Sequence, residues 1–347
     1  MSDLALYRKY RPQKFSEVKG QEQVVEVIMR SLKDEKVAHA YLFAGPRGTG
    51  KTSIARIFAA ELGTAPSDIY EIDGASNRNI DDVRALRDEV RTLPFDSKYK
   101  VYIIDEVHMF TKEAFNALLK TLEEPPAHVI FILATTELHK VPETIVSRCQ
   151  TFVFKKPSQD ILQLVVASAA KKEGFSIEKE ASALIALLGD GSFRDTLGAL
   201  QKVLSGVAGE KVSVEDVERI TGAPRAELVR TLLRAFIEKN AEKAILAVRS
   251  ATAENIEMKT YLKLVMHELR LGLLFKFAPA LKKEIGEELS KDEADFQEEL
   301  AQAIGTKDTI INSTLLRELI DVYADTDKSH IPSLPLELAI MKLLPKS

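Results

Sequence analysis

A single cysteine, Cys149, occurs in the 347 residues of this chain. That excludes an intrachain disulfide, and one thiol cannot by itself build a zinc site. No window approaches the ~18 consecutive apolar residues of a membrane-spanning helix. The polar start MSDLALYRKYRP lacks the apolar centre of a secretory leader, so the expected location is cytoplasmic, with no membrane partner. Net charge is scarce too: 48 Lys and Arg against 52 Asp and Glu leave a formal −4. Such a balance gives no global attraction to nucleic acid, so any DNA contact has to come from a local basic surface or from an assembly. Internal repeats and low-complexity tracts are absent. The length exceeds what one hydrophobic core sustains, ~250–300 residues, and implies two or three domains.

Against these absences the stretch His39 to Leu62 stands out. An apolar run, Tyr41, Leu42 and Phe43, leads into Gly45-Pro46-Arg47-Gly48-Thr49-Gly50-Lys51-Thr52-Ser53, and a helical pattern follows with Ile54, Ile57, Phe58 and Leu62 on one face. This is G-x-x-x-x-G-K-[ST] between a strand and a helix. The glycines let the backbone bend so that successive N–H groups converge on phosphate oxygens, and the helix N-terminus adds its positive dipole end. Gly45 to Ser53 are therefore the candidate nucleotide-binding residues for ATP. Lys51 is expected to reach the β- and γ-phosphates, and the Thr52 hydroxyl to ligate Mg²⁺.

A second motif completes the chemistry. Lys100 to Glu106 reads as a continuously apolar, buried strand ending in two acids. Asp105 fits the carboxylate that a nucleotide-bound Mg²⁺ needs, and Glu106 is placed to orient and polarise a water. Lys51, Asp105 and Glu106 together describe hydrolysis rather than binding alone. Val129 to Ala134 reads as a further buried strand ending in Thr135-Thr136, polar residues expected to face the same γ-phosphate region.

The remaining pattern supplies the frame. Residues 1–20 form an arm with the basic and aromatic cluster Tyr7 to Pro12, followed by a helix over about 21–32. Ile69 to Ile72 reads as a strand, then Asp73 to Asn79 as a polar turn into a helix near 80–91. Thr111 is the expected N-cap of a helix ended by Pro125-Pro126, and a short strand is expected over 151–154. Strands alternating with helices over the first ~155 residues imply a parallel sheet with helices on both faces. From Pro157 onward the periodicity is helical throughout, with a boundary signal at Thr221-Gly222-Ala223-Pro224. The domains expected are a nucleotide-binding domain at 1–156, a helical domain at 157–222 and an all-helical domain at 223–347.

Taken in order, Tyr10-Arg11-Pro12, Gly45 to Thr52, Ile104-Asp105-Glu106-Val107-His108, Leu118 to Pro126, Ala134-Thr135-Thr136, Ser147-Arg148-Cys149 and Gly191-Ser192-Phe193-Arg194-Asp195 closely resemble the bacterial DNA polymerase III gamma/tau family. The resemblance implies an AAA+ α/β fold with a helical lid and an all-α collar, and the activity of a clamp-loader ATPase within the DNA polymerase holoenzyme, itself a nucleotidyltransferase complex. By the same resemblance Arg11 lies in the arm lining the adenine pocket. Thr136, alone or with Thr135, acts as sensor of the γ-phosphate, and Arg194 as the sensor on the lid. Arg148 acts as an arginine finger toward the ATP of a neighbouring subunit, where positive charge from another chain stabilises the transition state only in the assembled ring.

The partners implied are the other loader subunits, a sliding clamp and primer-template DNA, with single-stranded DNA-binding protein as a further candidate. Asn77-Arg78-Asn79, at a helix start, is a candidate phosphate contact. Two departures from the family pattern are visible. A four-cysteine zinc module, usual before the Ile-Asp-Gly-Ala-Ser segment, is replaced by Gly63 to Asp68, so no zinc is expected, and the chain approaches replication factor C small subunits. The tau-type extension after the collar is also missing, as in a short form or a truncated chain. The readings from other classes are a branch-migration helicase motor, expected to carry a C-terminal winged helix, and a structural wedge, expected to carry a damaged P-loop.

Overall fold

The computed structural model describes residues 4–304, 306 and 309–344. By contact the chain divides into one compact unit of residues 1–173 with 185–201, and a second of residues 174–184 with 202–347.

The first unit opens with a short helix α1 (Leu6–Lys9), a 3-10 turn (Phe15–Glu17) and helix α2 (Glu22–Lys33). It continues as β1 (Ala40–Ala44), α3 (Lys51–Glu61), β2 (Ile69–Asp73), α4 (Ile80–Val90), β3 (Lys100–Asp105), α5 (Lys112–Glu123), β4 (Val129–Thr135), α6 (Glu143–Val146), β5 (Gln150–Val153) and α7 (Gln159–Lys172). Helix α8 (Lys179–Leu188) runs across the division, and α9 (Phe193–Gly206) starts in the first unit.

The five strands make one parallel sheet in the order β2-β3-β4-β1-β5. β1 and β4 are buried along their whole length, as strands covered on both faces must be. Side-chain alternation sorts their residues between two cores. Leu42, Tyr102, Ile104, Phe131 and Leu133 pack with α4 and α5 on one face. Tyr41, Phe43, Val101, Ile103, Ile130 and Ile132 pack with α2 and α3 on the other. Each such side chain contributes about 1.5–3 kcal/mol on burial, enough for the sheet to hold its strand ends in fixed register.

That register positions the site. β4 lies between β1 and β3, so the loops leaving all three at their carboxyl ends are neighbours, in the crevice where open α/β sheets bind ligands. Where Gly63 to Asp68 stand in for the longer module of the family pattern, the chain makes a 3-10 turn, Pro66–Asp68. The buried Asp68 carboxylate accepts the amides of Phe95 (2.6 Å) and Asp96 (2.8 Å), pinning the loop after α4.

The second unit is mainly helical: α10 (Val214–Thr221), α11 (Ala226–Ile237), α12 (Ala241–Ala253), α13 (Met258–Phe277), α14 (Pro279–Glu288), α15 (Lys291–Ala303), α16 (Ser313–Thr326) and α17 (Leu334–Leu343). Helix α13 is its hub, touching α11, α12, α14, α15 and α16. The apolar stripe of α11 (Leu232, Phe236) and that of α13 (Leu262, Leu269) are fully buried core.

The uniformly helical reading after Pro157 needs one correction. β6 (Ser176–Ile177) and β7 (Lys211–Val212) pair in parallel. Strands of two residues are too short to show an alternating period. The arm, too, contains the helix α1.

Candidate nucleotide site

The P-loop runs from the end of β1 to the first turn of α3. Gly48 takes a φ of 73°, in the left-handed region, and a Cβ there would sit 2.0 Å from Ser192 Oγ. Glycine is thus required twice over, for the turn and for the approach of the chain before α9. The same approach is fixed by a backbone bond, Phe193 N–H donating to the Gly48 carbonyl at 2.9 Å. On the strand side, Gly45 N–H donates to the Thr135 carbonyl of β4 at 3.1 Å.

Lys51 is buried, and its ammonium donates to the carbonyls of Gly45 (2.7 Å) and Pro46 (2.8 Å). Burial pulls that ammonium below the ordinary lysine range, a shift opposed by Glu106 and Asp105 and reinforced by Arg194. Thr52 Oγ1 donates to Asp105 Oδ2 at 2.7 Å, so the hydroxyl and carboxylate expected to hold Mg²⁺ already meet. Two hard oxygens side by side suit a cation that takes its other ligands from phosphate and water. The other Asp105 oxygen accepts the Glu106 amide at 2.9 Å. Glu106 itself has a φ of 48°, and its Oε2 accepts the Thr136 hydroxyl at 2.9 Å and the Thr136 amide at 3.3 Å.

These groups border a cavity of about 640 Å³, large enough for a nucleotide. Of the residues singled out from the sequence, Arg11, Arg47, Gly48, Thr49, Gly50, Lys51, Thr52, Ser53, Asp105, Glu106 and Arg194 line it. Gly45 and Pro46 stand behind Lys51, and Thr136 behind Glu106. Arg11 carries its charge against burial, and Arg56, Arg194 and Arg8 lower its pKa further while Glu71 opposes them. A wall with Arg11, Arg47, Lys51, Arg56 and Arg194 on it is complementary to a polyanion such as a triphosphate.

The DNA polymerase III, delta subunit, family model matches residues 20–76 and 64–158. DNA polymerase III subunit tau of Bacillus subtilis (strain 168) is 38% identical over 99% of this chain and 63% of its own length. DNA polymerase III subunit gamma of Buchnera aphidicola is 34% identical, covering 80% of this chain and 80% of its own. The chain belongs to the DNA polymerase III gamma/tau family. It spans under two thirds of the length of the Bacillus relative. Among solved structures, the Thermotoga maritima RuvB Holliday junction branch migration motor superposes with a TM-score of 0.54 at 24% identity, over 66% of this chain and 80% of that one, a likeness of fold.

Not every residue marked by the gamma/tau motifs gathers at the cavity. Arg148 follows α6 and does not line it; its guanidinium donates to the Thr144 carbonyl at 2.7 Å and to Glu123 at 2.5 Å. Asn79 caps α4, its amide donating to Asp82, while the Asn77 side chain donates to the Asp73 carbonyl. Conversely, the sequence reading overlooked Arg56 and Glu71, an ion pair at 2.5 Å on the cavity wall, and Tyr7, whose ring lies under the Arg194 guanidinium at 5.8 Å. Arg56 follows Thr52 by four residues, one helical turn, and that spacing was a usable signal. Tyr7 and Glu71 reach the site by folding alone. In the arm, Tyr10 donates to Glu173 at the C-terminal end of α7, and burial with that bond pushes the phenol up to about 12.

Proposed function

We propose that this gamma/tau-family chain is the ATPase motor of a clamp loader, using ATP binding and hydrolysis to open a sliding clamp and load it on primed DNA within the DNA polymerase III holoenzyme. The meeting of Lys51, Thr52, Asp105 and Glu106 around one cavity, with Arg194 on its rim, carries the proposal. Gly45 to Ser53 hold the phosphates, and Lys51 exchanges its loop carbonyls for β- and γ-phosphate oxygens. Thr52 and Asp105 hold Mg²⁺, which when bound supplies Lewis-acid stabilisation of phosphate charge. Glu106 orients the attacking water, with Thr136 as the sensor on its carboxylate. Arg11 and the arm flank the base, and Arg194 answers the γ-phosphate from the lid.

Arg148 acts in trans. Its place away from the chain's own cavity supports that role, since a finger must face a neighbour. In this reading residues 157–222 serve as lid and 223–347 as the collar joining loader subunits, and Asn77-Arg78-Asn79 lies toward DNA phosphates. The setting is the cytoplasm.

The test is steady-state ATPase activity of the reconstituted loader with primed DNA, with clamp, with both and with neither. Greater than additive stimulation by the two is expected. Hydrolysis indifferent to both would overturn the clamp-loading assignment.

A further inference from the structure

Two residues beyond the acid that orients water, the chain places a histidine that the motifs leave without a role. Glu106 adopts a positive φ, a conformation costing a non-glycine residue roughly 1–2 kcal/mol, and the chain then makes a 3-10 turn, Val107–Met109. The turn brings the His108 ring back against the ends of β3 and β4, where its side chain is only 6% exposed. Nδ1 lies 3.0 Å from Thr135 Oγ1 and 3.4 Å from Glu106 Oε2, and Nε2 lies 3.4 Å from Glu137 Oε1. Thr135 Oγ1 also accepts the Glu137 amide at 3.0 Å. Glu137 is in turn held by Lys140, whose hydrogen bond keeps this carboxyl below the usual carboxylate range.

We infer that His108 is a positioning residue for ATP hydrolysis: as the imidazolium it donates from Nδ1 toward the Glu106 carboxylate, fixing it, and from Nε2 toward Glu137, which anchors the ring. The inference rests on the ATPase reading above. The Thr136 hydroxyl and amide converge on the same oxygen, Glu106 Oε2, that faces Nδ1. One oxygen is thereby tethered, and Oε1 is left to accept from the attacking water. Without the ring, only the Thr136 groups restrain a carboxylate that needs alignment to work, and loss of alignment at a reacting centre costs on the order of 10²-fold. The ring also joins that acid to Thr135, whose carbonyl holds the P-loop at Gly45, so both halves of the site hang on one strand end.

The test compares His108→Ala, His108→Asn and His108→Gln in the full chain, assembled in the reconstituted loader. An asparagine amide can replace Nδ1, whereas a glutamine amide reaches the Nε2 side. His108→Ala is expected to lower kcat on the order of 10²-fold while affinity for a non-hydrolysable ATP analogue stays within about twofold, a difference under 0.5 kcal/mol by the affinity relation. His108→Asn should recover most of the rate and His108→Gln little of it. A second readout is independent of turnover: Glu106→Gln, which removes the charge facing Nδ1, should shift the imidazole ¹⁵N resonances of His108. Wild-type turnover in His108→Ala, or equal loss of rate and melting temperature in all three variants, would overturn the positioning role. A reconstituted loader that hydrolyses no ATP at all would instead overturn the ATPase reading, and an unmoved His108 resonance in Glu106→Gln would then refute the contact on its own.

Discussion

Arg148 and Glu123 form an ion pair at 2.5 Å, with 34% and 47% of their side chains exposed. Exposed pairs of this kind are worth about 0–1 kcal/mol, so Glu123 orients the guanidinium without locking it. A neighbouring triphosphate, with more negative charge than one carboxylate, can take it over.

Arg148→Ala should therefore leave ATP affinity of the isolated chain unchanged and lower turnover of the assembled, DNA-stimulated loader by about 10³-fold or more, the scale of an arginine finger. Glu123→Ala should change that turnover by less than about tenfold, because the pair it removes is weak. An equal loss of activity from Arg148→Ala in a verified monomer would argue against action between chains.

Glu106→Gln keeps the length of the side chain but removes its basicity. Turnover is expected to fall about 10²–10⁴-fold, the range for a positioned general base, with ATP still retained. Isolation of the variant with intact ATP bound, by nucleotide extraction, checks this. Full hydrolysis would remove Glu106 from the role.

Gly48 and Gly50 separate backbone strain from collision. Gly50 has a φ of 101° and nothing within 4 Å of a built Cβ, so Gly50→Ala should cost only the left-handed penalty, roughly 1–2 kcal/mol. Gly48→Ala meets Ser192 Oγ at 2.0 Å and should cost more, in part recovered by Ser192→Gly. Urea unfolding of the three variants measures the difference. Equal costs for the two alanines would mean that the approach of Ser192 contributes nothing.

Neighbours on α13 should carry opposing pH dependences. Burial lowers the His267 imidazole from 6.5 to about 4, aided by Arg270 and Lys263. Although part of the Glu268 side chain stays exposed, enclosure of its carboxyl pushes it from 4.5 up to about 7, with Glu293 adding and Arg230 and Gln297 opposing. For His267 the unfolded chain binds the proton more tightly, so its contribution is lost as pH falls from 6.5 to about 4. For Glu268 the folded chain binds it more tightly, so its contribution is lost as pH rises from 4.5 to about 7. The two offset each other over most of this window. Glu268→Gln should leave a melting temperature that rises with pH across it, and His267→Gln one that falls. Thermal scans at pH 5 and pH 7 test the signs.

The parts of the site that were legible in the sequence are those whose chemistry is local. A phosphate cradle demands glycines at fixed spacing, so Gly45 to Thr52 announced both the loop and the helix after it. Acids closing a continuously apolar run are equally local, so Asp105 announced the end of a buried strand, which the fold sets on the cavity wall. The order of the strands was not legible, because nothing local in β4 says that it inserts between β1 and β3. Hence the bonds from Thr136 to Glu106 and from Thr135 to His108, which depend on that insertion, could not be read. Tyr7 and Glu71 were missed for the same reason. At the start of α15, Ser290 and Glu293 spell a capping box, a local signal that the sequence carries ahead of the helix's apolar pattern.

The amide of Phe193 grips the carbonyl of Gly48, and Arg194 is the next residue along. The phosphate loop and the base of α9 are therefore geared. If an incoming anion tugs that carbonyl even slightly, the first turn of the helix must either swivel with it, sweeping a guanidinium across the mouth of the cavity, or let go.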